Sequence, residues 1–442
     1  MPNNMTQGSI TKALLLFSLP LIASGLLQQL YGWVDAFVVG NVVGEDAIAA
    51  IGATHAVWHF YVMAITGFTS GVSILSARYC GSRQDQKQKL VLFTFLVVVG
   101  LVIFVTTLFT ILFAEPALRL LKTPSNIFEM SEEYLRIVML GIPCLAVYNV
   151  YNVYSGVLRG IGDSSAPLYS IMVSAVSNVA LDIYFVAILG YGVKGAALAT
   201  FISQAAMMVF IVIYTFIRYP LLRFGITSFD LDILADGSRL ALPITIQSMV
   251  TAAGNLVLQN FMNTFGSVTV AAITTAYRVD SVIVLPIVNL GTGIATIVSQ
   301  NKGAGEKERE KECLRIGIKM MVIISVILMI IILSFAGKIV AIFGITEEAI
   351  MIGKGFFRGL APFYIVFSLI MALRGFLEGE GDVIFSGING IITLIIRIIL
   401  SYALCPFFGN MVIAYAEGLS WLFQLALFIW RYRSKRDIIM AN

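Results

Sequence analysis

Apolar runs of about 20 residues recur along the whole chain, separated only by short clusters of Lys, Arg, Asp, Glu, Gly and Pro. A water-soluble fold cannot hide that much apolar surface. With 59% hydrophobic and 12% charged residues among 442, and a mean hydropathy of +0.91, the bilayer must be the solvent of this chain. The runs predict an all-α polytopic membrane protein with twelve transmembrane helices. The stretch MPNNMTQGSITK lacks a charged region ahead of a small-residue cleavage site, so the first apolar run is expected to remain in place. The net charge of +4 says little by itself; the placement of Lys and Arg says more. They crowd into one set of alternate connections, such as Arg78–Lys89 and Lys302–Lys319, and the positive-inside rule then puts both termini in the cytoplasm of a multi-pass protein of the cell membrane.

The two halves resemble each other. SLPLIASGLLQQ answers to ALPITIQSMVTA, GVSILSARYCGSR to GIATIVSQNKGAG, and LRGIGD at Leu158–Asp163 to the stretch ending GEGD at Asp382. Six helices per half make the repeats parallel, so the expected organisation is an N-terminal six-helix lobe (1–218), a cytoplasmic linker (219–237) and a C-terminal six-helix lobe (238–442). Two such bundles facing each other would form a cleft, the arrangement alternating access needs. No TVGYG-like filter or acidic ring is visible to suggest an ion channel.

Charges inside apolar runs are costly and single themselves out as functional candidates. Asp35 lies in LLQQLYGWVDAFVVG and Asp182 in SNVALDIYF. Asp35 comes nine residues before Gly44 and Asp182 eight before Gly190, so at 1.5 Å per residue both lie roughly 12 Å below the outer surface. Ser24, Gln28, Tyr31 and Asp35 form one helical stripe; Asn178 is one turn from Asp182; Thr200 on the next helix reaches a similar depth. Asp35, Asn178, Asp182 and Thr200 could therefore surround one pocket. Such a pocket could take up a proton, and its carboxylate, amide and hydroxyl oxygens suit Na⁺ as well.

The second half departs from this pattern. Asn178 aligns with Arg397, Asp182 with Ser401, and Asp35 with Val257 or Leu258. It carries instead Arg278 and Asp280, which are two residues apart and so face different ways, and Arg397, expected to pair with Asp280. Glu417 is expected near the outer interface with no assigned role. The four cysteines (Cys80, Cys144, Cys313, Cys405) have no metal-ligand spacing, His55 and His59 lack companion ligands, and GIGD and GEGD read as turns into the next helix. No metal or cofactor is expected, and no convergent nucleophile and base mark an enzyme.

In their order over two repeats, SLPLIASGLLQQLYGWVDAFVVG, the Gly67–Gly81 region, LRGIGDSSAP and SNVALDIYF followed by GAALATFISQ resemble the MATE (multidrug and toxic compound extrusion) transporters over essentially the full length. The first half looks closest to the DinF-like branch. The resemblance implies two six-helix lobes in a V around a central cleft, and export of organic cations or amphipathic compounds driven by entry of H⁺ or, second to it, Na⁺. In that branch an acid on helix one and an Asn and Asp on helix five form the cation site, which falls here on Asp35, Asn178 and Asp182, with Thr200 on helix six. A helix-seven glutamate typical of the NorM branch has no counterpart in ALPITIQSMVTAAGNLVLQ. Gln28, Tyr31, Tyr151 and Asn152 are candidate substrate contacts in the cleft. The expected partners are small amphipathic or cationic molecules and the lipid bilayer, with no nucleic acid, the chain acting as a monomer. The alternative in the same superfamily is a lipid or lipid-linked oligosaccharide flippase, which would favour a more basic cavity.

Overall fold

The computed structural model describes residues 5–112, 114–120, 125–140, 142–223 and 229–441, with side chains except at 35–36, 45–53, 55–60, 106–107, 109–112, 114, 117, 120, 125–127, 137–140, 142–146 and 436–441. Asp35, His55, His59 and Cys144 therefore lie outside the described side chains. The helices are α1 (Ile10–Val42), α2 (Glu45–Gly81), α3 (Asp85–Leu112), α4 (Ala114–Leu120), α5 (Ser125–Leu140), α6 (Ile142–Ile161), α7 (Ser165–Asp182) and α8 (Gly192–Arg218). They continue with α9 (Leu231–Asn263), α10 (Ser267–Ile283), α11 (Leu285–Ala304), α12 (Lys307–Ala341), α13 (Glu347–Leu360), α14 (Tyr364–Gly379), α15 (Val383–Phe408) and α16 (Val412–Ala441).

Among the described residues, two of the expected apolar runs are each divided into two helices at a proline. Pro286 lies in the first turn of α11, at a bend of 42° from α10, and Pro362 in a 3₁₀ turn between α13 and α14. Proline lacks an amide hydrogen and crowds the preceding turn, so each break is local and the apolar run carries on across it. Eight helices among the described residues are long and apolar enough to cross a membrane, or nine if α10 and α11 are one bent span. One of these stretches, Val383–Lys435, has 53 residues and is long enough for two crossings of about 20.

The repeat is visible in the packing. Gly156 and Gly160 of α6 lie against α2: a Cβ at Gly156 would sit 3.1 Å from the Thr69 carbonyl oxygen, and one at Gly160 2.7 Å from that of Ser73. Gly375 and Gly379 of α14 meet the carbonyls of Gly291 and Ala295 on α11 in the same register. Each half thus uses a small-xxx-small pair to bring two backbones together, which is how helices gain dispersion contact where lipid supplies no hydrophobic drive. The GIGD and GEGD strings are turns, as their composition predicts: Gly162 (φ 96°) and Gly381 (φ 89°) take left-handed backbone that a side chain would resist. Asp163 Oδ1 then accepts from the amides of Ser165 and Ala166 at the start of α7, and its Oδ2 from the hydroxyls of Tyr214 and Tyr219.

By contacts the chain forms two compact units, one holding Ala23–Ala241 and the other Asn3–Ile22 with Leu242–Asn442. The breaks fall inside α1 and α9, close to Pro20 and Pro243. The start of α1 goes with the second unit because Met5 N donates to Gln300 Oε1, Ser18 Oγ donates to the Asn289 carbonyl, and Leu14 and Ser18 lie over Gly293. The start of α9 goes with the first unit because Gly237 seats the Phe95 ring and Ala241 lies on Gly71.

Candidate functional site

In the first unit one buried polar stripe runs along α7. The buried face of α7 carries Ser170, Ser174, Asn178 and Asp182 at a constant spacing of four, with Asn178 2% and Asp182 0% exposed. This stripe packs on α8, where Ser203 and Gln204 are buried, Thr200 is half-buried, and Ser203 Oγ donates to the Thr200 carbonyl at 2.9 Å. The Asn178 Oδ1, Gln204 Oε1 and Asn149 Oδ1 atoms are buried and accept no hydrogen bond. Buried amide oxygens left this way are costly, and they are the hard donor atoms that a proton-bearing group or a small cation would satisfy.

The helix changes pitch at this point. Asp182 ends the α-helical part of α7, and Ile183–Ile188 continue as a π-helix, with Leu189 N bonded to the Tyr184 carbonyl at 3.0 Å. π turns are rare and concentrate where a side chain must be held in an unusual place. The spacing of Asn178 and Asp182 predicts their common face; the π turn has no signature in IYFVAI.

The other expected residues are distributed as follows. Asp35 lies within α1, and its side chain is outside the described residues. Gln28 is exposed and Tyr31 half-buried on the same helix. Tyr151 and Asn152 are buried on α6, with Asn152 Nδ2 donating to the Tyr148 carbonyl at 2.7 Å and the Tyr148 and Tyr151 rings 6.3 Å apart.

In the second unit the observed ion pair differs from the expected one. Arg397 Nη2 on α15 lies 2.8 Å from Glu417 Oε2 on α16 and donates to the Tyr277 hydroxyl at 2.7 Å, while that hydroxyl donates to Glu417 at 3.2 Å. Asp280 instead accepts from the Tyr364 hydroxyl at 2.6 Å. Thus Arg397 is paired with Glu417 and not with Asp280. The reason is geometric: α15 and α16 are packed neighbours, so Glu417 reaches the guanidinium directly, and Asp280 is already bonded across to α14. Arg278 takes no part in this network. As its spacing from Asp280 requires, it faces elsewhere, into a cavity of about 600 Å³. Sequence reasoning missed Ser170, Ser174, Gln204, Tyr277, Tyr364 and the role of Glu417; only the first two lie on a spacing that could have found them.

The MatE family model matches residues 20–184 and 243–403, one block in each half. The probable multidrug resistance protein YoeA of Bacillus subtilis (strain 168) is 29% identical over 395 residues, covering 87% of this chain and 85% of that one. The multidrug export protein MepA of Staphylococcus aureus (strain N315) is 25% identical over 403 residues, covering 89% and 87%. A multidrug resistance MATE family transporter of the MOP superfamily, solved in its outward-facing conformation, superposes with a TM-score of 0.89 at 20% identity, covering 100% of this chain and 99% of that one.

Proposed function

Because this chain belongs to the MatE family and has its twelve-helix membrane fold, we propose that it is a secondary active multidrug exporter of organic cations or amphipathic compounds, working as an antiporter with H⁺ before Na⁺. The names of its relatives support the cargo class, and the buried stripe of α7 supports the coupling. The observation that carries the reading is the oxygen-rich group around Asp182: a carboxylate with no exposure, one turn from an amide oxygen that accepts nothing, and facing a helix with another. Asp35, Asn178, Asp182 and Thr200 form the coupling site. When a cation occupies it, the charge of the pocket is cancelled, and the balance between the states open to each side of the membrane shifts; export follows from that differential binding. Gln28 and Tyr31 contact substrate, and both termini lie in the cytoplasm.

The test is dye efflux in sealed vesicles with a pH gradient or a Na⁺ gradient imposed separately. Asp182→Asn and Asp35→Asn should abolish the response to whichever gradient drives the wild type. Efflux that keeps its ion dependence in both variants would refute this site. A response to Na⁺ alone would replace H⁺ as the coupling ion.

A further inference from the structure

Two arginines of the second unit lie in its apolar spans, and their surroundings differ. Arg397 is neutralised by Glu417. Arg278 has no ion pair and no side-chain hydrogen bond among the described residues, and it is exposed. It lies on α10 eleven residues beyond Ser267, about 16 Å along the helix from its start. An ionised guanidinium that far into a span is retained where it has a task, and Arg stays charged at any physiological pH.

Arg278 stands at one end of an open cavity of about 600 Å³ that runs along one face of α10 and is bordered by the connection after α12. Ser267 and Thr274 supply hydroxyls to it, and Val270, Phe343 and Ile345 supply apolar wall. That volume falls in the range of small-molecule sites, and a mostly apolar wall with a few convergent polar groups is their usual lining. No carboxylate lines it among the described residues. A fixed cation without an acid beside it selects against organic cations and favours a carboxylate, sulfonate or phosphate, whose paired oxygens match the guanidinium fork.

We infer that this cavity binds amphipathic anions, with Arg278 holding the acidic group and the Val270, Phe343 and Ile345 wall holding the apolar part. The inference rests on the export reading for its purpose, since it widens the substrate range from cations to acids, but the binding stands independently of transport. The acidic group has two sources, a soluble amphiphile or the headgroup of an anionic lipid.

The experiment is fluorescence anisotropy of carboxyfluorescein, an amphipathic multivalent acid, with the purified protein in nanodiscs of phosphatidylcholine, and again with phosphatidylglycerol added. Arg278→Gln should weaken binding at least about tenfold, the loss expected when a charge-assisted hydrogen-bond partner is removed, and Arg278→Lys less, because it keeps charge without the fork. Thr274→Phe, which fills the cavity while leaving Arg278 in place, should also block the probe. Loss of wild-type probe binding when phosphatidylglycerol is added, with Arg278-dependent retention of that lipid in native mass spectrometry, identifies a lipid headgroup as the occupant and supports the same chemistry. Equal affinity in wild type and Arg278→Gln, or no probe and no lipid held by the wild type, overturns the inference. Ethidium efflux by the wild type in sealed vesicles tests the export reading separately: its absence refutes export whatever the anisotropy shows, and its presence with no Arg278 effect refutes only the anion site.

Discussion

Replacing Glu417 by Leu tests the largest electrostatic claim about the second unit. The side chains of Arg397 and Glu417 are 18% and 10% exposed, so the pair is judged by the rules for buried ions and not by the much smaller values of surface pairs. Removing one partner leaves a charge uncompensated and costs about 3–5 kcal/mol. Glu417→Leu and Arg397→Met should each fall in that range. Their effects must not add. The double variant keeps only the Tyr277 hydroxyl without its partners, a loss of about 1–3 kcal/mol, so the interaction energy should be several kcal/mol where additivity would give roughly 6–10 kcal/mol in total. Reversible unfolding in mixed detergent micelles, followed by tryptophan fluorescence, reads all three variants on one scale. Asp280→Asn supplies the contrast: it disturbs a bond to Tyr364 and should couple to Arg397 far more weakly than Glu417 does. If the Arg397 and Glu417 effects add within about 0.5 kcal/mol, or if Asp280 couples to Arg397 as strongly as Glu417 does, the assigned pairing is wrong.

Gly160→Ala places a methyl 2.6 Å from Ser76 Cβ and 2.7 Å from the Ser73 carbonyl, and should destabilise by about 1–3 kcal/mol in the same unfolding assay, whereas Gly32→Ala meets nothing within 4 Å and should be close to neutral. Asp163→Ala removes the acceptor of two α7 amides and two tyrosine hydroxyls; a cost of about 1–3 kcal/mol and faster amide exchange at Ser165 and Ala166 are expected, and unchanged exchange would contradict the cap. Burial pushes the Asp382 carboxyl up, but bonds and charge from Arg431 and Lys435 outweigh it and hold the group below the ordinary aspartate value. A depressed carboxylate stabilises the native state above its unfolded pKa, and that contribution is lost as pH falls through and below the ordinary value near 4. Asp382→Asn should therefore lower the melting temperature near neutral pH and leave less further loss on acidification.

The extent to which the amino-acid sequence determines this structure varies from level to level. Membrane residence and the pairing of the halves are set by features that act over many residues, so apolar runs and the matched stretches, such as LRGIGD and the one ending GEGD, announce them. Helix breaks are set by single residues, and a hydropathy window wide enough to find a span averages over Pro286 and Pro362. The stripe Ser170, Ser174, Asn178 and Asp182 lies within one helix and is legible by its spacing. Gln204 belongs to the same polar layer only because α8 packs there, which no spacing within a helix can reveal.

Arg278 and Arg397 show the same limit in its sharpest form. Each is a basic residue in an apolar run of the second half, and position alone marks both as functional candidates. Their difference comes from what the neighbouring helices bring up. Around Arg397, α16 supplies Glu417 and α10 supplies Tyr277, so its charge is consumed inside the structure. Around Arg278, hydroxyls and apolar side chains arrive but, among the described residues, no carboxylate, so its charge is left for a ligand. Giving Arg278 an acid of its own is therefore the decisive perturbation: Thr274→Glu sets a carboxylate one turn away on the same face, at a spacing where opposite charges attract. It should abolish carboxyfluorescein binding while retaining the arginine and costing little stability. If the probe still binds with wild-type affinity, the free charge of Arg278 is not what the cavity offers.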